Sequence, residues 1–165
     1  VKDVDVRVAD DVVFPATDDG HRWVAGAVIV DDGGRAFTQR RSLDRRVFPG
    51  CWDVVGGHVE PGETMLDALV REVAEETGWR LTEVRSEVYR LVWTPDDGIE
   101  RHEVDYLVRV AGDLSAPRLE AGKHTEAMWV DADHTHLLHD RRDPGEYFIA
   151  DIVELALARD RALRA

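Results

Sequence analysis

Three carboxylates, Glu72, Glu75 and Glu76, fall at i, i+3 and i+4 within Arg71-Glu-Val-Ala-Glu-Glu-Thr-Gly78. On a helix those positions share one face. The grouping is unfavourable on its own, because like charges at this spacing repel by roughly 0.2–0.5 kcal/mol per pair. Gly78 is a natural helix terminator, so the acids also lie in the last turns, where the helix dipole disfavours negative charge. A compensating positive charge is expected on that face. Hard oxygen ligands suit Mg²⁺ or Mn²⁺ best.

The flanking residues describe the element that carries these acids. Pro61-Gly62 is a turn, and Thr64 with Asp67 three residues on predicts a capped start. The helix is expected over Met65–Thr77, with Leu66, Leu69, Val70 and Val73 as its apolar stripe, about 100° around from the carboxylates. Arg71 stands beside Glu72 and can orient it, and Glu63 reaches Arg71 if the preceding loop folds back. A run of glutamates on one helix face is more often a plain solvated surface. The company of glycines, Arg71 and Glu63 at fixed spacing argues against that here.

Read with its spacing, Gly57, five residues, Glu63, seven residues, then Arg71-Glu72-Val73-x-Glu75-Glu76-x-Gly78-Trp79 resembles the Nudix box position by position. Trp79 is the loose fit, since the family pattern asks for an aliphatic residue there. Trp23–Val30, Gln39-Arg-Arg41, Pro49-Gly-Cys-Trp52 and Trp129-Val-Asp131 resemble the family's other strands and loops, so most of the chain is covered. The resemblance implies an α/β fold, an α/β/α sandwich with a mixed β-sheet between helices. It implies hydrolysis of a nucleoside diphosphate linked to another moiety, with water attacking phosphorus and Mg²⁺ or Mn²⁺ as cofactor. The implied metal ligands are Glu72, Glu75, Glu76 and the Gly57 carbonyl, with Arg71 positioning Glu72 and Glu63 supporting Arg71. The general base is a box glutamate or an acid on a later loop. Glu126 is the first outside candidate, followed by Glu103 and Asp105.

Substrate contacts are less sharply marked. Arg40, Arg41, Arg45 and Arg46 flank the loop leading into the box and could meet phosphate, although a solvated basic loop fits equally well. Trp23, Phe48, Trp52 and Trp93 could stack a base or simply fill the core. His134, His136 and His139 match no standard zinc spacing. Two other functions compete. One is a nucleotide sensor on the same fold, which would usually lose box carboxylates. The other is an isopentenyl-diphosphate isomerase, which the segment Arg40–His58 also resembles. Those enzymes carry a cysteine just ahead of the Gly-His pair, where this chain has Gly56, and Cys51 lies on the far side of Trp52.

The chain has 165 residues, 44% of them hydrophobic and 33% charged, which fits a single domain over 1–165 with a real core. A formal net charge of −13 argues against a nucleic-acid polymer or an anionic membrane as partner. A small nucleotide-type diphosphate remains compatible if metal and arginines offset the field locally. One cysteine excludes an internal disulfide, the longest apolar run (Trp23–Val30) is too short to span a bilayer, and no signal peptide is evident. A cytoplasmic enzyme is the expectation, and the family resemblance allows a homodimer.

Strands are expected at Val4–Val8, Trp23–Val30, Arg35–Arg41 as the hairpin partner of Trp23–Val30, Cys51–Val55, Leu81–Trp93, His102–Val110 and Ala127–Asp131. Tyr147–Leu163 reads as a closing amphipathic helix.

Overall fold

The computed structural model describes residues 5–165. The expected first strand begins outside them, and Arg7–Val8 forms β1. The other strands are β2 (Arg22–Ile29), β3 (Ala36–Arg41), β4 (Trp52–Asp53), β5 (Val55–His58), β6 (Arg80–Trp93), β7 (Arg101–Ala111) and β8 (His124–Val130). The helices are α1 (Met65–Thr77) and α2 (Phe148–Arg164), with a short 3₁₀ turn at Thr135–His139.

A five-stranded mixed sheet, in the order β1-β6-β7-β2-β5, forms the centre. β2 runs parallel to β7 and antiparallel to β5. Its sequence is apolar almost throughout because both faces are covered. Ala25, Ala27 and Ile29 pack with Met65, Ala68, Leu69 and Val73 of α1. Val28 on the other face packs with Ile149, Ile152, Val153 and Leu157 of α2. A sheet between two helices is therefore present, as the resemblance implied.

Two expectations about pairing need correction. β3 is not the hairpin partner of β2. The Asp31–Gly34 turn forms, and Val30 bridges Ala36, but the strands then diverge. Both edges of β2 are already taken by β5 and β7, so β3 pairs instead with β4 and β8 in a second, three-stranded sheet. The expected strand Cys51–Val55 is likewise split between the two sheets. The break is at Val54, whose amide donates to Asp53 Oδ1 at 2.8 Å.

α1 starts as its sequence predicts. Thr64 Oγ1 accepts from the Asp67 amide at 3.1 Å, and Asp67 Oδ2 accepts from the Thr64 amide at 2.9 Å. It ends at Gly78, whose φ of +78° is left-handed and costly for any residue with a Cβ. Its buried face is rotated from the expected stripe. Met65, Ala68, Leu69 and Val73 are buried, Leu66 and Val70 only partly so, and Glu72 and Glu76 turn inward beside the core. The cause is β5, where Gly56 and Gly57 present bare backbone against which carboxylates can lie.

Candidate active site

Across the central sheet, Gly57, Ala25 and Val104 are register partners, and so are Gly56, Gly26 and Asp105. Successive residues of a strand face opposite sides. The first row lies under α1 and the second on the α2 side. β5 is thus the edge at which the two faces meet.

On the α1 side, the acid cluster closes around Arg71. Its Nε and Nη2 donate to the two carboxylate oxygens of Glu63 at 2.8 and 2.9 Å. Nη1 donates to Glu72 Oε1 at 2.7 Å and to Glu75 Oε2 at 3.2 Å, and Nη2 also reaches the His58 carbonyl at 3.0 Å. This planar fork fixes three carboxylates and a backbone carbonyl at once, which a point-charge ammonium could not do. The pairing lowers the Glu63 pKa, chiefly through the Arg71 hydrogen bond.

Glu72 and Glu76 are 9% and 4% exposed, whereas Glu75 faces solvent. A Cβ on Gly57 would fall 2.3 Å from Glu72 Oε1, so the Glu72 carboxylate fills the space that a side chain at 57 would take. Glu76 Oε1 accepts the Gly56 amide at 2.7 Å, and Oε2 lies 3.6 Å from His124 Nδ1. Burial raises the pKa of Glu72, against the opposing pull of Arg71, and raises that of Glu76 further. Burial and the cations Arg41, Arg45 and Lys123 push His124 down to about 4. His124 is therefore neutral near pH 7 and does not offset the Glu76 charge. Two buried carboxylates beside a glycine backbone, only one of them paired with an arginine, form a donor set suited to a hard divalent cation.

A cavity of about 250 Å³ surrounds this cluster, lined among others by Gly57, Glu72, Glu75, Glu76, Arg71, Arg41, Arg45, Lys123 and His124. A second cavity of about 230 Å³ opens on the α2 side, and Arg41, Arg45, Asp53, Gly56, Gly57 and His58 line both. Arg41 is braced by the Val47 carbonyl at 2.8 Å and by Asp53 at 3.3 Å. Arg45 has no ion pair among the described residues, and burial with the neighbouring Arg41 lowers its pKa.

Of the sequence candidates, Gly57, Glu63, Arg71, Glu72, Glu75, Glu76, Arg41 and Arg45 come together. Arg40 and Glu126 do not. They face each other on β3 and β8 at 3.5 Å, Arg40 also pairs with Asp140 and covers the Trp52 ring, and neither lines the two cavities. Glu103 and Asp105 line the second cavity. His124, Lys123 and Asp53 were missed. They are single residues on the second sheet or its approach, and no motif spacing ties them to the box. A separate group, His21, Glu100 and His102, places its ligand atoms within 4.8 Å of one another at the surface. Among the described residues no helix is long and apolar enough to cross a membrane.

Comparison with known proteins gives a consistent lineage. The NUDIX domain model matches residues 20–152. An isopentenyl-diphosphate Delta-isomerase of Mycolicibacterium vanbaalenii is 34% identical over 106 residues, covering 61% of this chain and 59% of that protein. The nucleoside triphosphatase NudI of an Enterobacter species is 49% identical over 53 residues, covering 32% of this chain and 38% of the relative. The chain thus matches less than two thirds of the length of either relative. The crystal structure of a MutT NUDIX hydrolase from Burkholderia pseudomallei superposes with a TM-score of 0.66 at 26% identity, covering 83% of this chain and 98% of that one.

Proposed function

The chain belongs to the Nudix family, and we propose that it is a Mg²⁺- or Mn²⁺-dependent hydrolase of a diphosphate bond in a nucleoside diphosphate linked to another moiety. The observation that carries this reading is the inward-facing Glu72–Glu76 pair beside Gly57, both carboxylates buried and only Glu72 ion-paired with an arginine among the described residues. Glu72, Glu75, Glu76 and the Gly57 carbonyl would hold the metal. A divalent cation there would offset phosphate charge, make the attacking water more acidic and hold the reacting groups in line.

The chain's own residues supply the rest. Arg71, clamped by Glu63, fixes the Glu72 carboxylate. Arg41 and Arg45, shared by both cavities, meet the phosphates at the junction. Water adds to phosphorus as the bond to the leaving phosphate oxygen breaks, and the water proton passes to a carboxylate of the cluster. Glu72 is the best placed, because it lines the cavity and Arg71 fixes its orientation while Glu76 is tied to the Gly56 amide. Glu126, paired with Arg40 away from the cluster, is set aside as base.

The isomerase relative raises a second reading, and two features oppose it. A Cβ at position 56 would meet the Ala25 carbonyl oxygen at 2.4 Å, so the backbone leaves no room for the isomerase cysteine. Cys51 is buried, with its Sγ 3.4 Å from the Arg141 carbonyl, and lines neither cavity. The full set of box carboxylates likewise speaks against a sensor.

A panel of nucleoside triphosphates, nucleotide sugars and dinucleotides, incubated with and without Mg²⁺ or Mn²⁺ and resolved by chromatography, tests the proposal. Metal-dependent cleavage to a nucleotide and a phosphorylated product is expected. Binding without turnover would favour the sensor, and conversion of isopentenyl diphosphate to its allylic isomer would favour the isomerase.

A further inference from the structure

The second cavity has an acidic end that the hydrolytic chemistry does not use. Glu103 and Asp105 are alternate residues of β7 and face the same side of the sheet. Asp105 is 0% exposed, and neither of its oxygens meets a donor among the described residues. It fits there only because residue 26 is glycine, since a Cβ at that position would lie 1.8 Å from Asp105 Oδ1. Its polar neighbour is the Glu103 carboxyl, with which it can bond only by sharing a proton. Burial and the adjacent Glu103 raise the Asp105 pKa well above the carboxylate range; burial raises that of Glu103 too, with the hydrogen bonds from Asp105 and Trp93 opposing the rise. Fully buried and without another donor, Asp105 is the member of the pair assigned the proton, which leaves Glu103 as the acceptor.

Glu103 also accepts the Trp93 indole N–H at 3.1 Å. A carboxylate offers about four acceptor sites, so two remain for a ligand, and Glu103 lines the cavity. Phe48, Trp93 and Phe148 contribute aromatic surface to its walls. Trp93 and Phe48 have ring centroids 6.1 Å apart, and Phe48 is held at a φ of +49°, an unfavourable conformation for an aromatic residue. At about 230 Å³ the space is below the roughly 300–1,000 Å³ of sites that enclose a drug-sized ligand and suits one flat ring system. It joins the metal cluster through Arg41 and Arg45, where phosphates would run.

The geometry points to Glu103, braced by Asp105 and Trp93, as the residue that reads the substrate's base, accepting two adjacent N–H donors of a guanine-type ring. This names a substrate class within the hydrolase reading and rests on it. Guanine offers an imide N–H beside an amino group. Hypoxanthine lacks the amino group, adenine and cytosine set a lone pair beside theirs, and uracil flanks its single N–H with carbonyls. Each of these leaves a buried acceptor unmet or opposed, and unmet polar groups are the strong discriminators in such sites.

Calorimetric binding of guanosine, inosine, adenosine and uridine monophosphates, with metal chelated, tests this independently of turnover. The whole chain and its Glu103→Gln and Trp93→Phe variants are compared, alongside the guanosine-to-inosine ratio of kcat/KM on the triphosphates with Mg²⁺. The expected result is a guanosine-over-inosine preference of about 10- to 100-fold in the parent chain. Glu103→Gln should abolish it, because the amide turns one acceptor into a donor, and Trp93→Phe should reduce it. A role of Glu103 as general base would slow all bases alike and leave the ratio unchanged. Equal affinity for all four nucleotides, or a preference that survives in folded Glu103→Gln, overturns the assignment. If Glu103→Gln does not fold, an unchanged preference in Trp93→Phe overturns it. Metal-dependent turnover with no base preference defeats this inference and leaves the hydrolase standing. A base preference in binding without turnover does the reverse.

Discussion

The carboxylate of Glu72 lies in the space that a side chain at residue 57 would occupy, with a Cβ at 57 falling 2.3 Å from Glu72 Oε1. Gly57→Ala should therefore displace Glu72 from its place beside Arg71 without opening the core. Loss of ligand orientation typically costs 10- to 100-fold in metal affinity or activity. A drop of about that size in Mn²⁺ affinity, with an unchanged circular dichroism spectrum, is expected. Unaltered affinity would mean that Glu72 is not a ligand.

Arg71 holds Glu63 through two parallel hydrogen bonds while also reaching Glu72, Glu75 and the His58 carbonyl. Lysine keeps the charge but cannot span these partners. Arg71→Lys should lower kcat by at least about tenfold, and Glu63→Gln, which retains one acceptor oxygen, should lower it less. Equal rates in Arg71→Lys and the parent chain would remove the positioning role.

The position of each acid was legible in the sequence to the degree that its partners were local. Met65–Thr77 could be bounded because its capping residues, Thr64 and Asp67, and its terminating Gly78 are written into it. Glu63, Arg71, Glu72 and Glu76 could be grouped because they share one short segment. The rotation of α1 was not legible. It depends on the glycine backbone of β5 beneath the helix, which a helical periodicity does not contain. The second sheet was missed for a related reason, because the alternative partners of β3 are set by occupancy of both edges of β2. Arg40 and Arg41 are neighbours on one strand, at a shift in its register against β8. Only Arg41 reaches the cavities, and composition could not separate them.

Asp105 provides a pH signature. Burial raises its native pKa well above the 3.8 of a free aspartate, and Glu103 and Asp53 are the charges that add to the effect. Above about that lower value the unfolded chain has released a proton that the native chain still holds, so stability falls as pH rises towards the native value. Asp105→Asn cannot ionise. With metal chelated, the melting temperature of the parent chain should decline more steeply than that of Asp105→Asn as pH rises from mildly acidic values. Parallel profiles would show that Asp105 is ionised in the native state.

Cys51 is buried away from both cavities, with burial raising its thiol pKa. Cys51→Ala should keep metal-dependent hydrolysis, and thiol-alkylating reagents should not inhibit the native chain. Inactivation by either route would place a thiol in the chemistry and revive the isomerase reading.

The most direct measurement is a Mn²⁺ titration followed by the electron paramagnetic resonance signal of the free ion, paired with turnover of the best substrate, in the parent chain and in Glu76→Gln. Glu76 is 4% exposed and is held by the Gly56 amide, and glutamine preserves its shape. Binding and turnover are both expected in the parent chain, and both should fall by more than about 100-fold in the variant, beyond what loss of ligand orientation alone produces. Undiminished Mn²⁺ binding or turnover in Glu76→Gln would contradict a metal-dependent hydrolase built on this cluster.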